Sequence, residues 1–193
     1  FLPIFMNMRG AAALVVGGGD VAVRKARLLR EAGCQLTVVA PECHPELAEW
    51  VAAGSVLHQV RRFMPADIAG QRLVIAATDD PVVNAEVSAV CMAANIPVNV
   101  VDNPRLCSFI MPSIIDRSPV IVAISSSGGL PVLARWLRTQ VEALLPAGLA
   151  RLGRFGQEVR PRIKAAMPDA NQRRGFWERL LASPWAEIGR AHV

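Results

Sequence analysis

The chain has no tyrosine and only 5% aromatic residues, so it is poor in the stacking platforms that hold single-stranded nucleic acid. Its arginines are scattered instead of gathered into an arm, which argues against a DNA or RNA partner. The four cysteines, Cys34, Cys43, Cys91 and Cys107, contain no C-x-x-C pair. That removes the redox dithiol and zinc-ribbon readings and leaves structural thiols of a reduced interior. Histidine is limited to His44, His58 and His192; these form no spaced cluster, so no resident metal site is expected and capping or surface roles suit His44 and His58. No apolar run reaches the length of a membrane span, and the start lacks the basic region and cleavage site of a signal peptide. The expectation is a cytoplasmic protein that engages neither membrane nor nucleic acid.

What is present is a 193-residue chain that is 52% hydrophobic, enough for one full domain and a smaller appendage. The formal charge is +5, carried mainly by arginine, and predicts an anionic partner. A small polycarboxylate satisfies that expectation as well as a polymer does.

Residues 11–16 form a continuous small-apolar run, as in a strand covered on both faces of a parallel sheet. Gly17, Gly18 and Gly19 end it, and residues 20–32 follow as an amphipathic helix stopped by Gly33. Strands are then predicted over 36–40, 55–60, 73–77 and 98–101, with helices over 45–53 and 81–94. This alternation requires crossover connections and gives an α/β, Rossmann-like doubly wound parallel sheet. Past Asp102 the alternation stops. Residues 120–125 read as one more strand and 131–145 as a helix. Residues 147–181 read as an arginine-rich helical lobe interrupted near Pro161 and Pro168.

Gly17-Gly18-Gly19-Asp20-Val21-Ala22 matches G-x-G-x-x-A between a strand and a helix, where glycines let a pyrophosphate approach the helix N–H groups. About twenty residues on, Glu42 stands where an acidic residue would bind the ribose of NAD, with Pro41 intervening; it reads equally as a surface residue opening the next helix. Thr78 follows the fourth strand at the carboxyl edge and is a cofactor candidate, while Asp79 and Asp80 either join it or cap the helix entered at Pro81. Asp102, at the carboxyl end of the fifth strand, is read either as a general base facing a ligand crevice or as a turn residue before Asn103-Pro104.

Taken together, L-P-I-F near the start, V-G-G-G-D-V-A-x-R-K-A-R-L-L, I-A-A-T-D-D, N-V-V-D and S-F-I-M-P-S-I-I-D-R-S-P resemble the N-terminal half of bifunctional siroheme synthases. The resemblance continues through Pro131-Val132-Leu133-Ala134-Arg135 and into R-R-x-F-W-E at 173–178. It implies an NAD-binding Rossmann domain (1–112), a dimerisation segment (113–146) and a helical lobe (147–186) in a homodimer that holds an acidic tetrapyrrole. It further implies that NAD+ takes hydride from precorrin-2 to give sirohydrochlorin and that ferrous iron, as substrate, is then inserted to give siroheme.

The family's catalytic aspartate falls on Asp102, and its cofactor contacts fall on Asp20, Val21, Pro41 and Glu42. A phosphoserine of some members falls on Ser126. Position after Asp102 makes Arg105 and Arg117 candidates for the substrate carboxylates. The apolar stretch 120–124 is expected at the dimer interface. Residues 187–193, E-I-G-R-A-H-V, resemble a translated sequencing adapter and read as a non-native tail, and nothing of the methyltransferase domain of longer siroheme synthases is present. Two rivals stay open: a non-catalytic NAD-binding regulatory domain, and a dehydrogenase without chelatase activity.

Overall fold

The computed structural model describes residues 1–146 and 148–183. The suspected tail at 187–193 and the end of the expected lobe lie outside the described residues. The chain divides into two compact units, Phe1–Met111 and Pro112–Val193.

In the first unit, strands β1 (Ala12–Val16), β2 (Gln35–Val39), β3 (Val56–Gln59), β4 (Leu73–Ala76) and β5 (Val98–Val100) alternate with helices α1 (Asp20–Glu31), α2 (Pro45–Ala52) and α3 (Pro81–Ala93). All pairings are parallel, in the order β3-β2-β1-β4-β5. The expected doubly wound sheet is what forms.

Strand pleating explains the layering, since successive side chains point to opposite faces. Ala13 and Val15 pack with Ala22, Ala26 and Leu29 of α1 and Leu47 and Trp50 of α2. Leu14 and Val16 pack on the other face with Val87 and Cys91 of α3. Residues 13–16 are essentially inaccessible, and fully burying a side chain such as Leu14 stabilises by roughly 1.5–3 kcal/mol.

The three helices share one way of stopping. Gly33, Gly54 and Asn95 take left-handed conformations, and the next residue, Cys34, Ser55 or Ile96, donates back to the last turn. On the first face Arg27 joins Glu46 at 2.6 Å, and the Arg30 guanidinium sits 4.0 Å from the centre of the Trp50 ring. These contacts tie α1 to α2.

The second unit is a β-hairpin followed by helices. Strands β6 (Ser113–Arg117) and β7 (Val120–Ile124) pair antiparallel. Helices α4 (Pro131–Leu144), α5 (Leu149–Ala166) and α6 (Ala170–Ala182) follow. The sequence reading found β7 but not β6, because S-I-I-D-R is short and ends in charges. Pro161 was expected to interrupt the lobe, yet it lies inside α5; the break comes at Pro168, before Asp169 caps α6 through Asn171 and Gln172.

Arg138 Nε donates to Ile114 O at 2.9 Å, and Gly153 of α5 lies against Pro119 and Val120, where an added Cβ would be 2.9 Å from the proline ring. No described helix is long and apolar enough to cross a membrane.

Candidate functional site

Strand order reverses between β1 and β4, the position where doubly wound sheets open a crevice at their carboxyl edge. A cleft of about 490 Å³ lies there, lined by Gly17, Gly18, Gly19, Asp20, Val21, Ala40, Pro41, Glu42, Ala77, Thr78 and Asp79. The seven cofactor candidates Gly17, Gly19, Asp20, Val21, Pro41, Glu42 and Thr78 are therefore brought together.

The three glycines do different work. Gly17 has φ +118, and a Cβ on it would stand 2.3 Å from Ala77 O; one on Gly18 would stand 2.0 Å from Glu42 O. These two let the loop pass between the ends of β4 and β2. Gly18 O also accepts from His44 N at 2.8 Å, and Gly17 N donates to Val39 O at 3.0 Å. A Cβ on Gly19 would meet nothing within 4 Å, so Gly19 faces open space.

Gly19 is the N-cap of α1 and provides no side-chain acceptor to the first-turn N–H groups. Helix N-termini present such donors to anions, assisted by the helix dipole. An uncapped helix end beside open space and a narrow glycine loop fits the pyrophosphate of a dinucleotide.

Around that centre the remaining groups differ in freedom. Glu42 is exposed. Asp20 pairs with His44 Nε2 at 3.3 Å, while His44 Nδ1 accepts from Glu46 N at 3.1 Å and so caps α2. The Thr78 hydroxyl lies 2.8 Å from Asn84 Oδ1 and accepts from Asp80 N at 3.2 Å. Its donor is committed inside the protein, leaving one lone pair for a ligand. Asp80 caps α3 through Val82 and Val83.

Asn84, which the sequence reading did not single out, is buried and also donates to Thr78 O at 2.8 Å. The available signal was a polar residue inside the otherwise apolar first turn of α3.

Asp102 follows β5, so it belongs to the same carboxyl edge of the sheet, and it is exposed. Its φ is +58, and Asn103 N donates to Val100 O at 3.3 Å across it. The turn and general-base readings are thus compatible: the turn lifts the carboxylate out of the strand line. It is absent from the lining of the dinucleotide cleft. Nearby Lys25 of α1 is held below the ordinary amine value by burial and then by Arg24, with Asp102 and Cys107 acting in the opposite direction.

Arg105 is exposed within the short 3-10 turn Pro104–Leu106. Arg117 and Ser126 belong to the second unit. Arg117 Nη2 pairs with Glu142 at 3.1 Å, and that carboxylate also meets Arg138 at 3.1 Å. Ser126 Oγ accepts from Leu130 N at 3.2 Å just before α4. Among the described residues no group of three or more His, Cys, Asp or Glu is placed to hold a metal ion.

Residues 4–113 match the model of a putative NAD(P)-binding family, and residues 148–191 match the sirohaem synthase dimerisation region. The latter falls on the helical lobe, next to the 113–146 segment to which the sequence reading assigned dimerisation. The chain is 51% identical over 187 residues to the siroheme synthase of Pseudomonas entomophila, covering 97% of this chain and 40% of that protein. It is 55% identical over 177 residues to the siroheme synthase of Methylobacillus flagellatus, covering 92% and 38%. It therefore spans about two-fifths of the length of the curated relatives it matches. The solved structure of SirC, precorrin-2 dehydrogenase, shares the fold with a TM-score of 0.76 at 22% identity, over 96% of this chain and 92% of that one.

Proposed function

The chain belongs to the putative NAD(P)-binding family and is homologous to siroheme synthases, and from that premise we propose that it oxidises precorrin-2 to sirohydrochlorin with NAD+ and then inserts ferrous iron to give siroheme. The observation that carries this reading is the sharing of one sheet edge by two features, an uncapped glycine loop fitted to a dinucleotide and the lifted carboxylate of Asp102.

Bound NAD+ supplies a hydride acceptor. The chain's own residues do the rest. The first-turn N–H groups of α1 hold the pyrophosphate, and Gly19 leaves it room. Glu42 and the main chain of Pro41 hold the ribose, and a carboxylate there favours NAD over its 2′-phosphorylated form. Thr78 offers its remaining lone pair.

Oxidation of precorrin-2 releases a hydride and a proton. Asp102 takes the proton as general base, and it accepts or relays the pyrrole protons displaced when the iron enters. Neither role requires a resident metal ligand. Arg105 and Arg117 pair with acetate and propionate groups of the tetrapyrrole, Arg117 sharing its guanidinium with Glu142. Ser126 adds a hydroxyl contact, and a phosphate placed there repels the anionic substrate.

The active form is a homodimer, with residues 113–146 as its dimerisation segment beside the lobe matched by the dimerisation-region model.

Supplying precorrin-2, NAD+ and ferrous iron to the purified protein, with tetrapyrrole absorbance and NADH followed together, tests the whole sequence. NADH formation followed by the siroheme spectrum is expected. NADH without any iron-dependent change leaves a dehydrogenase alone, and no change in either signal leaves a regulatory NAD-binding domain.

A further inference from the structure

Among the described residues, strand β5 has a strand partner on one side only. An edge strand leaves a row of N–H and C=O groups without partners, yet here the returning chain meets them, largely through side chains. Val98 N donates to Ser108 Oγ at 2.8 Å, and Val98 O accepts from Ser108 N at 2.9 Å. Val100 N donates to Cys107 Sγ at 3.1 Å. The single thiol hydrogen is within reach of Val100 O at 3.2 Å and of Asn103 O at 3.3 Å. Asn99 Nδ2 donates to Phe109 O at 3.1 Å, and Ser88 of α3 donates to Leu106 O at 2.7 Å.

Everything between these anchors is the loop that carries Asp102. A sixth strand on this edge would run straight past that position. Pairing through side chains lets the chain leave β5, reverse at Asp102 and come back within five residues. The cost is a left-handed non-glycine residue at φ +58, a conformation that persists only where its surroundings enforce it.

We propose that Cys107 and Ser108 are positioning residues that clasp the free edge of β5 and thereby set the carboxylate of Asp102 relative to its substrate. This deepens the function proposed above and rests on Asp102 being the general base. It also gives a physical role to the C-S-F segment, which dinucleotide binding does not use: its three residues contribute a thiol, a hydroxyl and a carbonyl to one strand edge.

The test is a double-mutant cycle on the full chain, read by single-turnover oxidation of precorrin-2 and by NAD+ affinity. Cys107→Val fills nearly the same space but removes both hydrogen-bonding functions, and Cys107→Ser restores them on a shorter arm. Misplacing a reacting group by an ångström costs on the order of a hundredfold, so Cys107→Val and Ser108→Ala are each expected to lower kcat by roughly ten- to a hundredfold. KM and NAD+ affinity stay near wild type, and Cys107→Ser recovers most of the rate. In an Asp102→Asn background Cys107→Val costs nothing further, because it acts only through the lost carboxylate.

The clasp is refuted if Cys107→Val keeps wild-type kcat, if its loss adds in full to that of Asp102→Asn, or if NAD+ affinity falls in parallel with rate. Near wild-type turnover by Asp102→Asn itself brings down the general-base reading, and the positioning role with it. That outcome is distinct from failure of the clasp alone, in which Asp102→Asn is inactive and the clasp variants are not.

Discussion

The two units bury apolar surface in opposite ways. In the first, every strand of the sheet carries fully covered side chains, and two clusters fill the space under α1, α2 and α3. In the second, Ile115 and Ala134 are the only buried hydrophobic residues among those described, while Val132, Leu133, Trp136, Leu137 and Leu144 are exposed. Helices of both units carry apolar residues, but only the first unit encloses most of those it presents. A self-contained core can hold a rigid ligand cleft. An open apolar helix face calls for cover from another surface, as a dimerisation region does.

The sharpest break of that comparison is chemical and lies in the first unit. Asp102→Asn keeps size and shape while removing basicity, and should lower precorrin-2 oxidation by about a hundred- to ten-thousandfold with NAD+ affinity unchanged. Stopped-flow detection of NADH beside an NAD+ titration decides it. Turnover near the wild-type rate means the carboxylate is not the base.

The next effect separates glycines that serve the fold from the one that serves the ligand. Gly19 faces open space, whereas a Cβ on Gly18 would collide with Glu42 O. Gly19→Asp should therefore fold normally and weaken NAD+ binding by roughly a hundredfold, since like charges brought together cost several kcal/mol. Gly18→Ala should lower stability by about 1–3 kcal/mol, as overpacking does. Calorimetric titration and urea melts of both variants would expose an exchange of these two phenotypes, which the geometry forbids.

The same asymmetry explains what could be read from the sequence. The first unit was legible because its inner strands β1 and β4 are buried on both faces and read as unbroken apolar runs, and because the glycine loop sits where a strand gives way to a helix. All seven cofactor candidates consequently fell on one cleft. The second unit was less legible. Strand β6 ends in Asp116 and Arg117 and lacks an apolar run of its own, so its pairing with β7 is a tertiary fact. Pro161 reads as a breaker, but an exposed helix face tolerates the lost hydrogen bond. His44 takes the capping role the sequence suggested. Its pairing with Asp20, the Asn84–Thr78 contacts and the edge clasp on β5 escaped, because each joins residues six or more apart across a loop and no local pattern reports such pairs.

If the exposed face of α4 is covered in the dimer, its largest residue should matter most. Trp136 is 57% exposed, and truncating a central tryptophan typically costs 2 kcal/mol or more. Trp136→Ala should thus weaken self-association by roughly thirtyfold with NAD+ affinity intact. Sedimentation equilibrium over a concentration series measures the shift; an unchanged dimer constant places the interface elsewhere on the second unit.

The smallest expected effect returns to the first unit and asks whether its stability has an electrostatic part. The connection after β3 is closed by Asp67, whose carboxylate accepts from Arg61 Nη1 at 2.8 Å and Nη2 at 2.5 Å and from Met64 N at 2.8 Å. Arg61 also reaches Gln59. The Arg61 hydrogen bonds are the leading cause holding the Asp67 carboxyl below its ordinary value, with burial opposing and the Met64 N–H assisting. A carboxyl depressed in the folded state stabilises above its unfolded value, near 3.9, and that contribution disappears as pH falls through the lower folded value. Asp67→Asn should accordingly lower the urea midpoint at neutral pH, and its deficit should shrink steadily as the pH is taken below about 4. Arg61 is partly exposed, so added salt should narrow the neutral-pH gap as well. A deficit of the same size at every pH and salt concentration would assign the loss to the shape of the turn and remove the charge from the account.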